Sequence, residues 1–467
     1  MNYFKKKGVR NRPALETDWV ISRRLVSTAG MSRITSLVST ACLCAVTVSA
    51  LDNGLGDLPP LGFNSWNVAH CSINEALIRS TVDVLASKGF LDHGYSYVNL
   101  DDCWMSTERS PDGNLQWDPI KFPTGNTLGA YIHSKGFKFG MYLSAGVKTC
   151  SLRDPTNRSA VGWGSYGYET ADAAWIAAQG ADYLKYDGVC AVPACPSGYN
   201  RSFTELDWQQ VIVARMGVAL NATGRPVWYQ YGSPYTWARA GAPVGLSWIT
   251  SPNASDGGLN SFRSGFDMAD NYGNAIESIG LTTKYARGRC SGNKPCDGPG
   301  SWADADCLEI GNNVTKINEV QSQSYFSWYA IANAPLLIST IISELSPELI
   351  RILQNDEVIA INQDYAGRVG EPVTSPMSVG GTVWAKPLSF PKGAIAALLV
   401  SSGHGQSSNG TVFWNDVGLD PSQAMKVRDP ITHEDLGVFT GQWSAPIDQS
   451  KGETRLIVLT PPSAKRQ

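Results

Sequence analysis

Acidic residues stand at the ends of several short β-rich runs in this 467-residue chain. Asp101 and Asp102 close YVNLDDCW, and Asp187 closes YLKYDG with Lys185 two residues earlier. Asp267 lies in RSGFDMADN, and Asp304 and Asp306 lie in GSWADADCLEIGN. A single carboxylate in such a place is usually a helix N-cap. Several gathered at one rim repel one another and lower stability, which marks a place where carboxylates do chemistry. Lys185 and Asp187 occupy positions i and i+2 of a strand, so both side chains point to one face. A cation beside Asp187 would hold it ionised, as a nucleophile requires. A second carboxyl that keeps its proton would donate to a leaving oxygen, and two such groups flanking a glycosidic bond are the equipment of a glycosidase. The five histidines (His70, His93, His133, His404, His433) are scattered, no cysteine pair has zinc-like spacing, and no GxSxG elbow occurs. The expectation is therefore carboxylate chemistry with neither metal nor cofactor.

Those carboxylates need a scaffold that presents strand ends together. From about residue 57 to 365, β-rich runs alternate with amphipathic stretches. The expected strands are 61–66, 95–100, 137–143, 181–186, 226–231, a weak one at 244–250 or 262–268, a short one at 301–307, and 336–343. Helical periodicity is clear at 73–90, 205–220 and 318–333. Eight strands each followed by a helix predict a (β/α)₈ barrel, an α/β fold whose active site lies at the strand C-termini. A doubly wound open sheet is the alternative, weakened because no GxGxxG turn follows the first strand. Beyond about residue 366 helical periodicity stops and short alternating strands such as TVWAKPL, GAIAALLVS and TRLIVLT appear. The expected domains are thus a leader over 1–50, a catalytic barrel over 51–365 and an antiparallel β-sandwich domain over 366–467, with a tight junction.

A formal net charge of −3 disfavours nucleic acid and anionic membranes as partners. Residues 34–50 form an apolar run preceded by Arg33 and ended by Val48-Ser49-Ala50, the pattern of a secretory signal cleaved after Ala50. Met31-Ser32-Arg33 would open such a signal at ordinary length, so Met31 is the expected start; a signal anchor with a basic tail is the alternative. Six N-x-[ST] sequons (Asn157, Asn200, Asn221, Asn253, Asn313, Asn409) and ten cysteines, of which Cys42 and Cys44 leave with the signal, agree with secretion.

The motifs LGFNSW (61–66), LDDCW (100–104), GMYLSAGVKTC (140–150), DYLKYDGVC (182–190), GSWADADCLEIGN and ANAPLLIS (332–339), in this order, resemble glycoside hydrolase family 27, the α-galactosidases and α-N-acetylgalactosaminidases. The resemblance implies a (β/α)₈ barrel with a C-terminal antiparallel domain and a retaining, double-displacement hydrolysis of terminal α-galactosyl groups. It implies Asp187 as nucleophile. Phe262-Arg263-Ser264-Gly265-Phe266-Asp267-Met268 is the nearest match to the family's acid/base motif, with Phe in place of Trp, and nominates Asp267; Asp256 in SWITSPNASD is the rival. Trp66 matches the aromatic against the sugar ring, and Asp101 and Asp102 the acceptors for O4 and O6. Tyr142, Lys185, Arg263 and Asp306 complete the matching set.

The resemblance also implies bridges Cys71–Cys103 and Cys150–Cys190. Cys290 and Cys296 are expected to close a loop within an insertion at about 275–297, while Cys195 and Cys307 either pair with each other or remain thiols. After the fifth strand the family's C-E-W segment is missing, and WYQYGSPYTW places Tyr231, Gly232 and Ser233 near the sugar's 2-position. An α-galactosidase is the leading expectation. The alternatives are an α-N-acetylgalactosaminidase, a related pyranosidase such as a β-L-arabinopyranosidase, and a sugar-binding protein on a decayed hydrolase scaffold. The oligomeric state is open.

Overall fold

A computed structural model describes residues 51–149, 162–188, 205–232, 249–251, 253–268, 272–287, 295–312, 317–374, 382–400 and 408–462. The leader over 1–50 lies outside the described residues. Eight parallel strands run β1 (Leu61–Asn64), β2 (Tyr97–Asn99), β3 (Lys138–Ser144), β4 (Tyr183–Asp187), β5 (Trp228–Tyr231), β6 (Ser261–Arg263), β7 (Trp302–Asp304) and β8 (Leu336–Ile338). Each pairs with the next, β8 pairs with β1, and a parallel bridge between Leu308 and Ile338 closes the ring. All residues of β1, β2 and β5 to β8 are buried, the near-continuous burial of parallel strands covered on both faces.

The main helices are α1 (Glu75–Ser87), α2 (Leu128–Ser134), α3 (Glu169–Ala178), α4 (Glu205–Ala222), α5 (Tyr272–Arg287), α6 (Glu319–Ile331), α7 (Pro347–Leu353) and α8 (Asp356–Asn362). Helix α1 begins where the Asn74 side chain accepts from Leu77 N, and Ile78, Val82 and Leu85 bury its inner stripe. Helix α6 starts in a capping box between Asn318 and Gln321 and is buried at every residue from Ser324 to Ile331. It is buried all round because strands of the second domain cover the side that the barrel leaves open; Trp328 meets Trp384 edge-on at 4.7 Å. Helix α5 corrects the expected insertion: 272–287 is the barrel helix that follows β6, and its buried stripe mixes Ser278 and Thr282 with Ala275 and Ile279, which weakens the apolar periodicity. The sixth strand falls at Ser261–Arg263, so 244–250 is not its place.

Beyond the barrel come β9 (Glu371–Pro372), β10 (Thr382–Pro387), β11 (Ile395–Val400), β12 (Ser408–Phe413), β13 (Ala424–Asp429), β14 (Glu434–Thr440), β15 (Gln442–Ile447) and β16 (Thr454–Thr460). They form a six-stranded sheet in the order β14-β13-β16-β11-β10-β9 and a pair β12-β15, all pairings antiparallel. Alternate residues fill a core of their own, including Val383, Ala397, Leu399, Val412, Trp414, Val427, Ile457 and Leu459. The opposite parity on β10, β11 and β16, with Trp384, Leu398 and Leu456, belongs to the barrel's core. Lys386 on β10 is fully buried and donates to Asn333 Oδ1, the Ile361 carbonyl and the Asp364 carbonyl at 2.6–2.7 Å. The junction is thus packed and hydrogen-bonded.

Candidate active site

At the C-terminal ends of the barrel strands, Asn64 ends β1 and donates from Nδ2 to Asp101 Oδ2 at 2.9 Å. Asp101 and Asp102 lie two and three residues past the end of β2 and are both 2% exposed. Ser65 Oγ accepts from Asp101 N at 2.9 Å, and Asp101 Oδ1 accepts from Asp102 N at 2.9 Å. The turn is tightened by the Cys71–Cys103 disulfide, with Cys103 in the left-handed region at φ 74°.

Strand register brings the next residues together: Tyr142 of β3 lies beside Lys185 of β4, and Ser144 beside Asp187. Tyr142 donates its hydroxyl to Asp187 Oδ2 at 3.2 Å. Lys185 does share a face with Asp187, but its ammonium bonds Asp101 Oδ2 at 2.7 Å. Burial works against the Lys185 charge, yet the surrounding carboxylates, Asp101 above all and then Asp306 and Asp187, raise its pKa above the ordinary range. Lys185 therefore neutralises Asp101 directly and reaches Asp187 only through its field. Asp187 itself is half-buried at the strand end.

Arg263 ends β6, is 3% exposed, and reaches Asp306 Oδ2 at 3.0 Å and Asp267 Oδ1 at 3.2 Å. Asp267 is exposed and follows β6 on the same side as Asp187. The rival Asp256 precedes β6, on the other end of the barrel, where its Oδ2 accepts from Ser251 and Asn253. Asp306 adopts φ 89° two residues past β7. Trp66 is half-buried in the helical turn Trp66–Ala69, its amide donating to Asn64 Oδ1 at 2.8 Å and its ring edge-on to His70.

One expectation changes and one open alternative is decided. Tyr231 sits opposite Tyr186 in register, alternation turns it away from the barrel axis, and its hydroxyl lies 3.4 Å from Gln209 of α4. A β-carbon on Gly188 would lie 2.2 Å from that hydroxyl, so Tyr231 backs the nucleophile's strand end instead of lining the mouth. Gly232 takes the mouth-facing position, its absent β-carbon directed at Asp187 from 3.4 Å. Cys307 is a buried free thiol, which decides between the two alternatives left for it. Cys296 is disulfide-bonded, while Cys150, Cys190, Cys195 and Cys290 lie outside the described residues.

Sequence reasoning missed Asn64 and Gln230. Gln230, 2% exposed, sits beside Lys185 in register and donates to Asp304 Oδ2. Strand parity was the available signal, because the inward face of β5 is set by Gln230 and Gly232. Among the described residues no cluster of three or more His, Cys, Asp and Glu could hold a metal, and no helix is long and apolar enough to cross a membrane.

The family described as alpha galactosidase A matches residues 64–364, and the one described as alpha galactosidase C-terminal beta sandwich domain matches 380–452. An α-galactosidase of Cyamopsis tetragonoloba is 36% identical over 423 residues, covering 88% of each chain. One of Coffea arabica is 37% identical over 419 residues, covering 88% of this chain and 96% of its own. The crystal structure of α-galactosidase I from Mortierella vinacea has a TM-score of 0.72 at 26% identity, covering 89% of this chain and 100% of that one. From this agreement of fold, motif order and sequence, the chain belongs to glycoside hydrolase family 27, the α-galactosidase family, and is a glycoside hydrolase.

Proposed function

We propose that this protein is a secreted, retaining α-galactosidase that releases terminal α-linked galactose from oligosaccharides or glycoconjugates. The observation that carries the reading is the convergence of Asp187, Tyr142, the Lys185–Asp101 pair and the Arg263–Asp267 pair on one end of the barrel. In the first step an Asp187 oxygen attacks the anomeric carbon while Asp267 gives its proton to the departing glycosidic oxygen, leaving a covalent galactosyl-enzyme. Asp267 then takes a proton from water, the water oxygen attacks the same carbon, and Asp187 leaves as carboxylate. Two inversions return the α-anomer. Tyr142 holds Asp187 in place, and Asp101, pinned by Lys185 and Asn64, is ready to accept from sugar hydroxyls. An epimer that leaves such buried acceptors unpaired is rejected. A carboxyl acting as proton donor favours an acidic working pH.

Gly232 favours one second reading, an α-N-acetylgalactosaminidase, because a bare backbone beside Asp187 gives room for a 2-acetamido group. The relatives named above are α-galactosidases, so galactose is the preferred sugar. Secretion is supported by the apolar run at 34–50, by the Cys71–Cys103 bridge, and by the exposure of the sequon residues Asn221, Asn253 and Asn409.

Proton NMR of the first product formed from p-nitrophenyl α-galactoside tests the mechanism: α-galactose should appear before mutarotation, and β-galactose first would overturn the retaining reading. Asp187→Asn should abolish turnover and leave the fold intact; near-normal rate in that variant would reject the nucleophile. A higher kcat/KM on the N-acetyl substrate would reverse the preference. Sequencing the mature N-terminus should find a start just after Ala50, and Met1 or Asn2 there would remove the cleaved signal.

A further inference from the structure

Asp304, at the end of β7, is not one of the groups placed against the sugar, yet its carboxylate holds an uncommon backbone conformation. It is 2% exposed, and its Oδ1 accepts from the backbone N–H of Asp306 at 2.8 Å. That bond closes a turn in which Asp306 stands at φ 89°, a strained region for a residue with a β-carbon that persists only where its surroundings enforce it. The other oxygen, Oδ2, is gripped by Gln230 from β5. The Asp304 carbonyl accepts from both the amide and the hydroxyl of Ser264, so strands β6 and β7 are tied at this residue.

The turn decides where the Asp306 carboxylate goes. Its Oδ2 accepts from Met268 N at 2.7 Å and pairs with Arg263 at 3.0 Å. Met268 directly follows Asp267, and the same Arg263 nitrogen reaches Asp267 Oδ1 at 3.2 Å. Asp267 is thereby held at two points, by its own backbone through Met268 and by its side chain through Arg263, and both converge on Asp306. Asp267 is otherwise exposed, with 80% of its side chain open to solvent, so little else restrains it.

We infer that Asp304 is a positioning residue for the acid/base step: by fixing the left-handed turn at Asp306, it sets the aim of Asp267 at the leaving oxygen. This rests on the reading of Asp267 as the acid/base. The hold survives protonation. Burial raises the Asp304 carboxyl to about 6, with Arg263 pulling the other way, and a proton on Oδ2 leaves Oδ1 free to accept from Asp306 N. An asparagine can do the same through its amide oxygen, with the Gln230 carboxamide turned over so that its oxygen accepts from the asparagine N–H.

The test compares substrates whose leaving groups differ in their need for a proton: 2,4-dinitrophenyl α-galactoside, which needs little, and an α-galactosyl disaccharide, which needs much. Loss of general acid assistance is expected to slow the disaccharide about 100-fold. Asp267→Ala should show this skew first; if it treats both substrates alike, the acid/base reading fails and the inference with it. Given that skew, Asp304→Ala should slow the disaccharide about 100-fold and the dinitrophenyl substrate less than 10-fold, while Asp304→Asn stays within about 10-fold on both. Equal losses on the two substrates, or an asparagine variant as skewed as the alanine, overturn the positioning role with the acid/base reading intact. Should Asp304→Ala fail to fold, Gln230→Met, which releases Oδ2, should show the same skew at smaller size, and a folded Gln230→Met without skew also overturns it.

Discussion

Replacing Lys386 by methionine removes an ammonium buried between the barrel and the β domain, and the outcome depends on two large opposing terms. The lost side are its three hydrogen bonds, to Asn333 Oδ1 at 2.7 Å, the Ile361 carbonyl at 2.6 Å and the Asp364 carbonyl at 2.7 Å. Hydrogen bonds to a charged group contribute about 1.5–3 kcal/mol each, so together roughly 4.5–9 kcal/mol. Those figures already include the desolvation of an ordinary hydrogen-bonded group; methionine is spared in addition the excess cost of burying an ammonium completely, several kcal/mol. Burial lowers the Lys386 pKa to about 7, the mark of that penalty. Three acceptors at short distance match three N–H donors, so the bonds outweigh it, and the expected net loss is about 2–4 kcal/mol. The assay is guanidinium unfolding of both proteins at pH 5. There the amine is protonated in folded and unfolded chains alike, since the pH lies below both about 7 and the ordinary 10.5, and proton uptake does not enter. The unfolding midpoint should fall while kcat stays unchanged, because Lys386 is on β10 and not at the barrel mouth. A midpoint equal to or above that of the wild type would refute the reasoning, since desolvation would then dominate.

Two further predictions follow from single residues. Asp297 is fully buried, one oxygen accepting from Ala303 N and the other unpartnered, and burial raises its pKa to about 8 from 3.8. Between about pH 4 and 8 the folded chain keeps a proton that the unfolded chain has lost, so stability falls as pH rises, by at most about 1.4 kcal/mol per unit. Asp297→Asn should flatten that decline in unfolding midpoints measured from pH 5 to 8, and parallel curves would contradict it. Gly188→Ala places a β-carbon 2.2 Å from the Tyr231 hydroxyl and must displace the strand end that carries Asp187. A displacement near 1 Å costs about 100-fold in kcat. Adding Tyr231→Phe should recover only part of it, because the ring carbon behind the hydroxyl still lies 2.9 Å away. A wild-type rate for Gly188→Ala would show that the strand end yields without moving Asp187.

The barrel was legible because parallel strands and their helices leave two different periodicities in the chain, and the carboxylates at strand ends follow from where those runs stop. Weak places in the reading have physical causes. Strand β6 is three residues long, too short for alternation to show. Helix α5 buries Ser278 and Thr282 beside Ala275 and Ile279, so its inner stripe is partly polar and its apolar periodicity is diluted. The place after the fifth strand, where the family carries C-E-W, puts Tyr231 near the sugar's 2-position, whereas register with Tyr186 turns it outward.

By itself the sequence determined the residue types available for chemistry, the family, and the two-part plan of barrel and β domain, since motif order and periodicity are local or linear properties. Tertiary structure alone decided who pairs with whom: Lys185 with Asp101, Arg263 with both Asp306 and Asp267, and Gln230 with Asp304. Three of these four pairs are 43 to 84 residues apart and meet only because parallel register brings distant strand ends to one rim. Electrostatic partnership falls off with distance in space, not along the chain, so no spacing rule could have given it.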